Sequence, residues 1–366
     1  MCENADPVPY VVNRPLAHEA RDYEETRRRY IAIARQQRAV LGVYQYGNIT
    51  YPGLSDLDLL LCVSETIAPI VSTRLAVEAL GPFYESVMLH SPTIVPASQI
   101  PFIHEFLVDS TLQKIWETRD LFAGLPAMSA KVKTYAKLAK LFETLYSYRV
   151  WVSEVLVQQT LDARWTIPSL KSIIYSCDGM ESVSGETWPW AANYRAAIQQ
   201  LRANWFLEES QSRQNVTLRA AFRLGLDVIV RLMGEFDNFV SRNGWLANLS
   251  PRQPALADLP TLNATVTFEE QLWGDVNRVI AHPRQINLPG IFGSFLSIYF
   301  RAASSWDERG RTSTARTDFE AYLHERVKMI RQQLVFLQRH RMNFGGYLPW
   351  QLEQALQSDT RHYQAE

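Results

Sequence analysis

Cysteine is scarce: the chain carries 3, Cys2, Cys62 and Cys177, with no short spacing between any two of them. That excludes a disulfide scaffold and a cysteine zinc site, and the expected setting is the reducing cytoplasm. No apolar run reaches the length of about 18 residues that a membrane-spanning helix needs, so no membrane partner is expected. The opening MCENADPVPYVVNRP has no apolar core of the kind a secretory leader carries. Net charge is missing too. With 37 basic and 38 acidic residues the balance is −1, which offers no global attraction to a long polyanion. Phosphate-loop, dinucleotide GxGxxG, HExxH, CxxC and G-x-S-x-G motifs are absent, and His104-Glu105 and His324-Glu325 each lack a second histidine at zinc spacing.

What is present fits a globular protein. The 366 residues are 47% hydrophobic and 20% charged, enough for two domains with a sizeable core. The most informative stretch is 47–58, GNITYPGLSDLD, which runs into the apolar LLLCV. On an extended chain Asp56 and Asp58 point one way while Leu57, Leu59 and Leu61 point the other. Two carboxylates on one face repel unless a cation lies between them, and hard oxygen donors of this kind suit magnesium with a phosphate ligand. The plain alternative is a wet strand end, since Asp and Gly are common turn residues. Against it, residues 59–63 are apolar on both faces, as in a central strand covered on both sides. Residues 39–46, AVLGVYQY, read as a preceding strand.

Strand, glycine turn, short connector and acidic strand together resemble the nucleotidyltransferase superfamily typified by DNA polymerase beta. The resemblance rests on Gly47, Asn48, Asp56 and Asp58 and spans roughly residues 20–110. It implies that Asp56 and Asp58 carry Mg2+, with Mn2+ as a substitute ion, and that Gly47 lets the backbone approach nucleotide phosphates. Asn48 stands where the family usually has serine, and its amide can still donate to a phosphate oxygen. The family pattern includes a third carboxylate on a later strand. The segment 83–90, FYESVMLH, is the expected strand, and it holds no aspartate. Read as a strand, it puts Glu85 on one face with Val87 and Leu89, and His90 on the other with Ser86 and Met88. His90 is the candidate catalytic group, with Glu85 and Asp109 as further candidates; a histidine at a strand end is more often structural.

Elsewhere the pattern is helical. Residues 17–38 form an amphipathic helix whose Arg27, Arg28 and Arg29 read as a solvated face in preference to a phosphate-binding patch, and 64–80 form another, capped by Ser64 and closed by Gly81-Pro82. Long helices are expected at 129–162, with Ser129 as cap, and at 190–209, 215–241 and 314–342. The Pro-, Asn- and Gly-richer residues 243–294 read as loop with one short helix at 268–281, and another short helix is expected after Pro349. Lys133, Lys137 and Lys140 share a helix face. By the resemblance Lys133 and Lys137 contact the triphosphate, with Tyr135 or Tyr146 stacking on a base; the plain alternative is a solvated lysine stripe. Trp188-Pro189-Trp190 and Tyr347-Leu348-Pro349-Trp350 could wall an acceptor pocket, although aromatic packing is the commoner use.

The expectation is therefore α+β: a small nucleotidyltransferase-like α/β domain with a mixed sheet over 1–110, then a larger mainly helical domain over 111–366. The expected activity moves a nucleoside monophosphate from a nucleoside triphosphate such as ATP to a hydroxyl of a small molecule or protein, releasing pyrophosphate. Long nucleic acid is disfavoured as acceptor on charge grounds. The alternatives are a catalytically silent relative that binds nucleotide or a partner protein, and a helical interaction protein whose acidic pair is accidental.

Overall fold

The computed structural model describes residues 9–67, 69–243, 317–342 and 346–347. Along the chain the elements are β1 (Tyr10–Val12), α1 (Ala20–Arg35), β2 (Val40–Tyr46), β3 (Asp58–Val63), α2 (Pro69–Leu75), a 3-10 turn (Val77–Ala79), α3 (Pro82–Val87) and β4 (Thr93–Pro96). A 3-10 segment (Ala97–Phe102), α4 (Ile103–Phe106), β5 (Gln113–Glu117), α5 (Ala130–Gln158), β6 (Thr160–Asp162), α6 (Ala163–Ser184), α7 (Pro189–Asn204), α8 (Gln211–Arg242) and α9 (Asp318–Arg339) follow. The class is α+β, with a mixed sheet and a helical remainder. Two compact units are defined, one of residues 15–137 and 328–350, the other of residues 1–14, 138–327 and 351–366.

The first unit is built on a four-stranded sheet in the order β4-β3-β2-β5. β2 runs antiparallel to both β3 and β5, while β3 and β4 are parallel. β5 carries the sheet past residue 110. As the alternation requires, Leu57, Leu59 and Leu61 enter a core with Tyr23 and Tyr30 of α1, Val43 and Ile94. Leu60 and Cys62 are buried as well, so β3 is a central strand covered on both sides. α1 buries Tyr23, Thr26, Tyr30 and Ala34, at helical spacing, and opens with a reciprocal cap between Glu19 and Asp22. Residues from the far end of the chain complete this unit. Gln333 of α9 donates to the carbonyl of Ile94 and accepts the Tyr347 N–H at 2.7 Å, while Gln99 donates to the Met329 carbonyl at 3.1 Å. Tyr347 is buried and stacks on Phe106 at 3.9 Å, so it serves as packing.

Two expectations need correction. Residues 83–90 are not a strand: Pro82–Val87 form α3, with Pro82 at its first turn and Gly81 as its N-cap at φ +102°. Gly81-Pro82 starts this helix rather than closing the previous one, because a proline fits the first turn of a helix. The faces assigned to Glu85 and His90 from strand alternation fall with it. The strand at this edge of the sheet is β4, four buried residues without an acid. The helix over 64–80 likewise shrinks to Pro69–Leu75 and a 3-10 turn, since a helix beginning at Ser64 would put Pro69 in its interior.

In the second unit, α6, α7 and α8 pack together, and β1 pairs in parallel with β6. The single helix expected over 129–162 ends at Gln158; Gln159 takes φ +53° and Thr160–Asp162 form β6. α6 lies outside the helices expected from the sequence, although it carries legible end signals: Asp162 accepts the Trp165 N–H, and Gly185 closes it in the left-handed region at φ +73°. Ser129 does cap α5, accepting the Val132 N–H at 3.2 Å. Trp188 and Trp190 stack at 5.2 Å. The short helices expected at 268–281 and after Pro349 lie outside the described residues.

A buried ion pair joins α5 to α9 within this unit. Arg326 donates through Nε to Glu143 Oε1 at 2.7 Å and through Nη2 to Oε2 at 2.9 Å, with both side chains fully buried. Removing one partner strands the other charge away from water, which costs about 3–5 kcal/mol. Arg326→Met should therefore destabilise the protein by that amount in urea unfolding, and Glu143→Leu/Arg326→Met together should recover most of the loss.

Candidate metal centre

β2 ends at Tyr46 and the chain reverses at Gly47, which takes φ +74°. That conformation suits glycine, and a second constraint acts at the same atom. A Cβ on Gly47 would lie 2.8 Å from Asp58 Oδ2. The turn is thus pressed against the carboxylate, while Gly47 and Asn48 remain exposed. The connector that follows is held by Tyr23, whose hydroxyl donates to the Ser55 carbonyl and accepts the Gly53 N–H at 2.8 Å. The Leu57 N–H donates to the Val87 carbonyl at 3.1 Å, tying the entrance of β3 to the end of α3.

The parallel pairing of β3 with β4 begins at Leu60 and Thr93, three residues after His90. His90 is delivered to the acidic pair in this way. Its Nε2 lies 3.3 Å from Asp58 Oδ1 and 3.7 Å from Asp56 Oδ2, and one donor atom from each of the three residues falls within 4.8 Å of the others. Its other nitrogen, Nδ1, lies 2.8 Å from the Ser91 carbonyl. A carbonyl only accepts, so Nδ1 carries the hydrogen. Ser91 is itself fixed, its hydroxyl accepting the Val77 N–H at 3.2 Å. Tyr46, opposite Asp58 in the β2–β3 register, shares a 3.0 Å hydrogen bond with Thr93. Burial, reinforced by the Asp58 and Asp56 charges, pushes the Tyr46 hydroxyl well above its usual pKa and keeps it neutral.

Burial works against a charged imidazole at position 90. The hydrogen bond to Asp58, the charges of Asp58 and Asp56, and the Ser91 carbonyl outweigh it and raise the pKa from 6.5 to about 9. Near neutrality His90 is a cation between two anions. In that state Nε2 carries a proton, which a dication bound there displaces, since only a neutral imidazole ligates a metal. Side-chain exposure of 39% for His90, against 16% and 18% for Asp56 and Asp58, leaves the cluster open to an ion from solvent.

Two oxygens and one nitrogen can hold a divalent cation. On an ion with bonds of about 2.1 Å, adjacent ligands lie about 3 Å apart and opposite ones about 4.2 Å. The observed separations need only small rotations to close on such an ion. Among the described residues this is the one group of three or more acid, histidine or cysteine side chains at metal-binding spacing. The remaining residues singled out in the sequence are not part of that group. Lys133 and Lys137 approach Asp109, at 3.6 and 3.1 Å, and Asp109 itself takes φ +50°. Glu85 lies on α3.

No family model matches the chain, and no curated protein matches it. Among solved structures it is similar to spectinomycin adenyltransferase AAD(9) from Enterococcus faecialis, determined with ATP and spectinomycin. Identity is 13% and the TM-score 0.32, over 58% of this chain and 99% of that one. A likeness at that level carries no inference about chemistry, which is read from the side chains alone.

Two outcomes are expected. Since the folded pKa of His90 lies above its ordinary value, its contribution to stability is complete below about pH 6.5. It is lost as pH rises through about 9. Urea unfolding with chelator present should show stability declining across that window, and His90→Asn should flatten the decline. Gly47→Ala should cost about 1–2 kcal/mol from its left-handed backbone alone. It should also weaken divalent-ion binding measured by calorimetry, because the new methyl group displaces Asp58.

Proposed function

We propose that this protein is a metal-dependent nucleotidyltransferase, transferring a nucleoside monophosphate from a nucleoside triphosphate to a hydroxyl acceptor. One observation carries the reading: Asp56, Asp58 and His90 converge at the entrance of a buried central strand, beside an exposed glycine turn pressed against Asp58. Asp56 and Asp58 hold the divalent cation, for which Mg2+ is the starting expectation. When bound, it neutralises charge on the phosphates. The Gly47-Asn48 turn borders the triphosphate, since its backbone is exposed and has no side chain at Gly47 to keep phosphate oxygens away. Lys133 and Lys137, now paired with Asp109, supply further positive charge to the phosphates.

In the reaction the acceptor oxygen forms a bond to the α-phosphorus, the bond from that phosphorus to the bridging oxygen breaks, and pyrophosphate leaves with the electron pair. The hydroxyl proton passes to solvent. Such chemistry is carried by positioning and charge neutralisation rather than covalent help from the protein. The acceptor is a small molecule or a protein side chain, in keeping with a chain whose net charge is −1. The first unit carries the chemistry.

A second reading has a specific observation behind it. An imidazole stands in the cluster where a third carboxylate is expected of an active enzyme, which favours a silent relative that binds nucleotide without turnover. Binding of the four nucleoside triphosphates, with magnesium and with manganese, comes first. Ion-dependent binding of at least one triphosphate, lost in Asp56→Ala/Asp58→Ala, is the expected outcome. Equal binding in both proteins, or none in either, overturns the metal-site reading. Pyrophosphate release with an acceptor library then separates the enzyme from its silent counterpart.

A further inference from the structure

The donor set of this cluster is not the all-oxygen set that magnesium prefers. Mg2+ is a small hard ion that takes carboxylates, phosphates and water, whereas imidazole nitrogen suits first-row transition ions. We infer that His90 is a metal ligand through Nε2 and makes the site selective for a first-row transition dication, with Mn2+ the leading ion, over Mg2+. The inference rests on the reading that Asp56 and Asp58 hold a divalent cation, and it refines which one.

Three features of the surroundings point to ligation rather than a chance salt bridge. The ring is oriented before any ion arrives. Its Nδ1–H is committed to the Ser91 carbonyl, so that Nε2 is the nitrogen presented to the carboxylates. A ligating histidine characteristically has its other nitrogen fixed by a carbonyl or carboxylate, which sets the ring's orientation and raises its basicity. Ser91 is in turn held: its hydroxyl takes the Val77 N–H, and two residues later Thr93 pairs with Leu60 of the acidic strand. The third feature is reach. Nε2 stands 3.3 and 3.7 Å from one oxygen of each aspartate, close to the spacing of adjacent ligands on one ion. No carboxylate joins the group among the described residues to restore an all-oxygen set.

Manganese sits between the two preferences. It accepts carboxylate and water as magnesium does, yet tolerates nitrogen, and it is paramagnetic, which makes the ligand directly visible. The full-length protein, stripped with chelator, is titrated with Mn2+ alone and followed by electron paramagnetic resonance. Electron spin echo modulation then reports any nitrogen bonded to the ion, and Mg2+ competition gives the preference between the two. Modulation from a directly coordinated nitrogen, lost in His90→Ala, supports the inference. So does a fall of about tenfold or more in the Mn2+-over-Mg2+ preference in His90→Asp, which restores oxygen to the third position. Bound Mn2+ without nitrogen modulation, or a preference unchanged in His90→Asp, overturns the inference and leaves the metal-dependent function standing. No binding of either ion at millimolar concentration overturns both. The modulation measurement on the unsubstituted protein decides the matter even if a variant fails to fold.

Discussion

Two like charges at the mouth of a buried strand set the terms for everything around them. Carboxylate oxygens of Asp56 and Asp58 come within 4.8 Å of each other. At an effective dielectric constant of about 20, that separation corresponds to a repulsion of about 3.5 kcal/mol. Neither aspartate can turn away into the sheet, because the leucines that alternate with them are committed to the core under α1. The charge has to be answered from outside the strand. In the structure His90 answers it, and the same geometry explains how a metal ion could take a place among the three.

The supports of this site come from separate parts of the chain, each with its own reason. The glycine turn is positioned by the β2–β3 pairing, which sets Tyr46 against Asp58. The connector is drawn in by Tyr23, a helix residue whose ring belongs to the core and whose hydroxyl belongs to the loop. The histidine is brought in by the parallel pairing of β3 with β4 and oriented by a serine anchored to the turn after α2. Because these supports are packed or hydrogen-bonded elements, the cluster is held in shape before it binds anything.

How much of this could be read beforehand divides along physical lines. The acidic strand was legible since alternation, an apolar run and a glycine turn are all local signals. β2 and β3 fall where those signals put them, and so do most of the long helices. His90 was legible as a candidate but for the wrong reason. Residues 83–90 are aromatic and β-branched enough to pass for a strand, and in so short a run periodicity does not separate helix from strand. What brings His90 to the aspartates is a register between strands more than 30 positions apart, which no local pattern encodes. The Glu143–Arg326 pair lies further still from sequence view, with 183 positions between its members. α6 is different, because Asp162 and Gly185 mark its ends, but the helical pattern running up to Asp162 hides the first of them.

The glutamines that fasten α9 to the first unit have a consequence for the order of events during synthesis. Gln333 reaches Ile94 across 239 positions, and Met329 reaches Gln99 across 230. At a ribosomal pace of about 5–20 residues per second, β4 waits roughly 12–50 seconds for its last hydrogen-bonding partners. Throughout that interval the core on this face of the sheet lacks Phe336 and Leu337 of α9.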